Sequence, residues 1–177
     1  MSLKDKIPAE MEDLPAMIAH ALAIEEEAGE RYADLADQMS VHNNDEVADF
    51  FRTMARVEKI HADKIRDQAR GIALPEIAPW DYRWRDAESP ESTLLEEIHY
   101  KMTVHHALKL ALVNEQRAEA YFADIASKTA NAEIRAMAEE LAEDERAHVK
   151  LVEDWLAKHP EPATGWDEDD DPPVHQD

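Results

Sequence analysis

Two stretches of this chain carry the same arrangement of acids and histidines. Glu25 is followed by Glu58-Lys59-Ile60-His61, and Glu115 is followed by Glu145-Arg146-Ala147-His148. The lone Glu precedes its Glu-x-x-His by 33 residues in the first case and by 30 in the second. On a helix, residues three apart lie about 60° from one direction, so the Glu and His of each pair can face one ion. Four carboxylates and two imidazoles then make a two-metal site. With one His per metal, the donor set suits iron or manganese better than a closed structural zinc site. Glu58 and Glu145, each sharing a helix with a His, are the natural bridging ligands. Iron fits best, because oxygen-rich ligation leaves positions open for O2 or peroxide.

Such a site needs four helices, and proline placement permits them. The prolines fall at 8, 15, 75, 79, 90, 160, 162, 172 and 173, which leaves two long proline-free windows. In the first window, Ile18, Ala21, Ala28, Tyr32, Ala36 and Met39 recur with Glu25 at helical spacing and predict a helix over roughly 11–40. Asn43 and Glu46 read as a capping box for a second helix that ends near Gly71. Ser89-Pro90 reads as the start of a third helix, with Val104, Leu108, Ala111, Glu115 and Phe122 on its inner stripe. A break at Thr129 to Asn131 precedes the fourth, with Ala138, Leu141, Glu145, His148 and Val152 inward. The segment between Gly71 and Ser89, with Trp80 and Trp84, reads as a long crossover whose aromatics anchor it to the helices or line a pocket. The halves repeat: Glu25-Glu26-Glu27-Ala28 with Tyr32 matches Glu115-Gln116-Arg117-Ala118 with Phe122 at a constant offset of 90. The fold class is therefore all-α, a ferritin-like four-helix bundle of two hairpins. Residues 1–158 form the bundle, and 159–177 an acidic, flexible tail.

Burial decides between a metal site and solvated acids. Seven residues before and after each of the four glutamates stand Ile18 and Tyr32, Phe51 and Ile65, Leu108 and Phe122, Ala138 and Val152. Every flank is apolar or aromatic, so each Glu sits mid-stripe on a buried face. Uncompensated burial of four carboxylates is prohibitive, and divalent cations offset it.

A formal charge of -22 repels nucleic acid and anionic membrane, and it gathers cations at the surface. There is no cysteine, which removes disulfides, thiolate ligands and thiol catalysis. No apolar run reaches the ~20 residues of a membrane span, and the start Met1-Ser2-Leu3-Lys4-Asp5 lacks the apolar core of a signal peptide. These features point to a cytoplasmic protein.

The six residues resemble the di-iron motif of the ferritin-like superfamily, and the Glu25 to Tyr32 spacing is similar to that of its rubrerythrin and bacterioferritin branch. The resemblance covers residues 11–158 and implies a di-iron centre in a homodimer or larger assembly. It implies reaction with hydrogen peroxide or O2, with manganese or a mixed Fe/Mn pair as alternative occupants. Three departures shape what carries over. Without cysteine this chain contains no rubredoxin-type centre, so electrons must come from a separate rubredoxin or flavoprotein. Rubrerythrins carry an extra Glu three residues after the third-helix ligand. Ala118 stands there, leaving Glu119 either as a substitute carboxylate near the site or as a solvated acid. Bacterioferritins hold haem through a Met where this chain has Lys59, and end in a short fifth helix where this chain has its acidic tail, so no haem is expected. A rubrerythrin-like protein lacking the rubredoxin domain, of the erythrin type, fits best.

Tyr32 reads either as a hydrogen-bond partner or electron relay for the site, or as a buried tyrosine satisfied elsewhere. Gly29, on the inner side of the first helix, leaves room for close packing or a bound oxidant. His99, His105 and His106 point away from Glu115 and read as surface or packing histidines. The leading functional reading is a di-iron peroxidase or oxidase. The alternatives are a ferroxidase that handles iron, a di-metal oxidase acting on an organic substrate, and a helical interaction module with inert buried acids.

Overall fold

Asp13 begins the first long helix by accepting a hydrogen bond from the Ala16 amide at 3.2 Å, and Pro15 sits in its first turn, where no amide proton is needed. In the computed structural model, which describes residues 9–77 and 99–165, this helix is α1, Leu14–Val41. A short 3-10 turn, Ala9–Glu12, precedes it. Three more helices follow: α2 (Asp45–Gln68), α3 (Val104–Lys128) and α4 (Ala132–Leu156). Among the described residues there is no strand. α1 packs along α2, and α3 along α4, giving the two hairpins of a ferritin-like four-helix bundle.

Local chemistry sets the boundaries, and it differs from the expectation at two of them. The α1–α2 turn is closed by Asn43 in the left-handed region (φ 58°), a conformation its short amide side chain tolerates. Asn44, not Asn43, takes the cap position, and no capping box forms there. The Asn44 side chain instead donates to the Met102 carbonyl at 2.7 Å and the Tyr100 carbonyl at 3.3 Å, tying the first hairpin to the entrance of α3. The second correction concerns α3, which starts at Val104 rather than at Ser89-Pro90. Thr103 and His106 supply a reciprocal cap at that start. Residues 89–98, like Trp80 and Trp84, lie outside the described residues. α4 opens on Asn131, whose side chain accepts from the Glu133 and Ile134 amides. Gly71, at φ 87°, makes the turn just beyond α2.

The apolar interior has two parts. One cluster gathers Ile18, Ile24, Ile65, Phe122, Ile134 and Leu141, with their neighbours. The other gathers Tyr32, Leu35, Phe51, Met54, Leu108 and Val152. Burying one such large side chain contributes about 1.5–3 kcal/mol. Between the two clusters runs a layer of acids: Glu25, Glu58, Glu115 and Glu145 are all 0 % exposed.

Candidate metal centre

Each helix delivers its Glu to this layer from the middle of an apolar stripe, so packing above and below fixes the backbone that carries it. α2 and α4 add His61 and His148 one turn further on. His148 Nδ1 lies 3.1 Å from Glu115 Oε2 and 3.6 Å from Glu145 Oε2. His61 Nδ1 is 3.7 Å from Glu25 Oε2. The two imidazoles stack with centroids 4.2 Å apart, so the two hairpins meet at their histidines. All six residues expected from sequence are thus brought together within one chain.

Two trios of donor atoms lie within 4.8 Å of one another: Glu58, Glu115 and His148, and His61, Glu145 and His148. Both cross between hairpins. Glu58 of the first half reaches the donors of the second, and Glu145 of the second reaches His61 of the first. A bridging carboxylate requires this placement.

The residues fit metal ions on a direct observation: both oxygens of Glu25, of Glu58 and of Glu145 are buried with no hydrogen-bond partner. Buried polar atoms are almost always satisfied in folded proteins, so six such oxygens facing one another call for cations. Electrostatics agrees. Burial, followed by the charge of Glu145, holds the Glu25 carboxyl well above the usual carboxylate range. Burial and the charges of Glu115 and Glu25 do the same to Glu58. Glu145 is raised to about 7 by burial, against the lowering influence of His148. Burial and the nearby His148 push His61 down to about 4. Burial alone would also lower His148, but Glu115 and Glu145 override it and raise the imidazole to about 10. Clustered perturbed groups of this kind mark functional sites.

Tyr32 donates from its hydroxyl to Glu115 Oε1 at 3.3 Å, across the hairpins. Asn114 Nδ2 lies 3.5 Å from the same hydroxyl. Sequence reasoning missed Asn114, although the repeat carried a signal: its counterpart 90 residues earlier is the buried Ile24. A polar residue that replaces an apolar one at a buried repeat position has a polar task. Glu119 pairs with Arg146 at 2.9 Å on the outer face of the α3–α4 hairpin, its side chain 26 % exposed. His105 and His106 make local bonds, His105 to the His159 carbonyl at 2.8 Å and His106 to Thr103.

Fold and site together define a ferritin-like bundle with a carboxylate- and histidine-lined site that could hold metal ions. The rubrerythrin family profile matches residues 17–156, and the chain belongs to that family. Its structure is similar to the crystal structure of an uncharacterized conserved protein from Magnetospirillum magnetotacticum MS-1. The two are 38 % identical with a TM-score of 0.65, over 85 % of this chain and 98 % of that one. Among curated proteins, none matches the sequence. No described helix is long and apolar enough to cross a membrane.

Proposed function

We propose that this protein is a non-haem di-iron oxidoreductase that reduces hydrogen peroxide, or reacts with O2, using electrons from a separate donor. The observation that carries this reading is the set of six fully buried oxygens without a hydrogen-bond partner on Glu25, Glu58 and Glu145. Glu25 and His61 would hold one iron, Glu115 and His148 the other, with Glu58 and Glu145 between them. Two irons so held would supply two electrons per turnover and oxygen-facing positions for the oxidant.

The chain's own residues supply the rest. The apolar clusters on either side pack the four helices and so fix the backbone that carries the carboxylates. Tyr32 anchors one oxygen of Glu115 and leaves Oε2 toward His148. Glu115 and Glu145 favour the protonated His148 imidazole, and a metal bound there would displace that proton, so loading would release protons. Manganese or a mixed pair would satisfy the same donors.

Anaerobic Fe(II) loading followed by stopped-flow mixing with peroxide or with O2 tests the reading. Faster oxidation by peroxide at two irons per chain supports the peroxidase. Preference for O2, with continued turnover of added Fe(II), supports a ferroxidase instead.

A further inference from the structure

The two hairpins are related by the repeat, yet their seams differ where Gly29 and Glu119 stand. Glu119 of α3 corresponds to Gly29 of α1 at the offset of 90, and Arg146 corresponds to Lys59 as Glu145 does to Glu58. On the second hairpin, Glu119 and Arg146 join at 2.9 Å across the α3–α4 seam. On the first, Gly29 contributes no side chain, and the α1–α2 seam opens into a groove of about 580 Å³. Its walls include Gly29, Ala33, Ala55 and Ala62, and its lining includes Glu25, which is 0 % exposed and has no hydrogen-bond partner for either oxygen. The groove therefore runs from the surface to a ligand of the metal centre.

Its floor is narrow. A methyl group on Gly29 would lie 3.4 Å from Glu58 Cβ and 3.7 Å from the Ala55 carbonyl, in ordinary contact with both. A longer side chain would have to turn into the groove. At the mouth, Lys59 pairs with Asp63 and Arg66 with Glu26 and Asp63, and with Arg56 and Glu30 beside them the opposite charges offset one another. A mouth of balanced charge presents no electrostatic barrier to a small neutral molecule.

We propose that the α1–α2 groove is the path by which a small oxidant, of the size of peroxide, reaches the metal centre, and that Gly29 keeps it open. The proposal rests on the two-metal reading above. On the second hairpin, the Glu119–Arg146 pair occupies the position equivalent to the groove.

Azide uptake by the Co(II)-loaded protein, followed by the change in the cobalt visible spectrum in stopped flow, reads access without turnover. Gly29→Ala is expected to take up azide like the parent. Gly29→Leu is expected to slow uptake by about tenfold or more, because its side chain must move aside for each passage, while holding two cobalt ions per chain. Parental uptake by a fully loaded Gly29→Leu protein overturns the proposal. If that variant does not hold two cobalt ions, Ala33→Cys decides. Ala33 is an exposed residue on the groove wall, and the chain has no other thiol. Labelling this cysteine with a benzyl thiosulfonate should slow azide uptake, and reductant should restore it; uptake indifferent to the label overturns the proposal. A parent protein that fails to bind two cobalt ions contradicts the metal reading itself, and that result is separate from either outcome above.

Discussion

The rings of His61 and His148 stack at 4.2 Å, yet the two imidazoles are held at opposite ends of the histidine range. His61 is pushed down to about 4 by burial and by His148, while Glu115 and Glu145 hold His148 up at about 10. The metal-free centre thus keeps one neutral and one charged imidazole side by side among its acids.

The pH dependence of the metal-free protein follows. His148 is raised above its unfolded value of 6.5, so its contribution to stability is complete below that value and is lost as pH rises toward about 10. Glu145, raised from 4.5 to about 7, adds a loss between those values. His61 works the other way: its folded value is depressed, so stability falls as pH drops from 6.5 toward about 4. Metal-free protein should therefore lose thermal stability between pH 7 and 10, with Tm falling by about 2–4 °C for each kcal/mol lost. Metal-loaded protein should not, because binding requires the deprotonated ligands. Melting curves with and without metal across this range check it.

Removing one acid should stabilise the empty site and disable it. Glu58→Gln replaces a fully buried carboxyl that has no hydrogen-bond partner with a neutral amide of the same shape. At pH 8 the metal-free variant should be more stable than the parent by about 1–2 kcal/mol. It should bind fewer than two metal ions per chain. Denaturant unfolding and metal analysis measure the two effects; a variant destabilised when metal-free would show that Glu58 serves the fold.

Tyr32→Phe separates hydroxyl from ring. The ring stays packed on Phe51, with centroids 6.0 Å apart, and only the bond to Glu115 is lost. The expected cost is about 1 kcal/mol, with two metal ions still bound and oxidation kinetics altered. Parental kinetics at full metal occupancy would leave Tyr32 a packing residue.

The cap of α4 bears on the site from a distance. Asn131 fixes the start of the helix that carries Glu145 and His148. Asn131→Ala should cost about 1 kcal/mol, seen as a lower denaturation midpoint at unchanged metal stoichiometry.

The clustering of these four acids and two histidines was legible because a helix repeats its faces. Once Glu25, Glu58, Glu115 and Glu145 were placed at stripe centres, their apolar flanks required burial, and both histidines followed from three-residue spacing. Helix starts were less legible because competing cap signals look alike in sequence. Sequence offered Ser89-Pro90 as the third helix's start, whereas α3 begins at Val104, where Thr103 and His106 form the cap and Val104 and Met102 pack against the core. Asn43 lost the cap to Asn44, whose side chain gains two carbonyls from the segment before α3, a contact 58 residues distant that no local pattern shows. Asn114 lies about 100° around the helix from Glu115, so a periodicity centred on Glu115 passes over it. Glu119 could not be placed without knowing that Arg146 would stand opposite.

Metal stoichiometry tests the central claim most directly. Anaerobic titration of the intact chain with Fe(II), read by Mössbauer spectroscopy on enriched iron, should reach two high-spin ferrous ions per chain. His61→Ala and His148→Ala should each weaken one of them. Saturation at one iron per chain, or stable folding with none bound at excess Fe(II), would contradict the account and leave the buried acids of this bundle without their proposed partners.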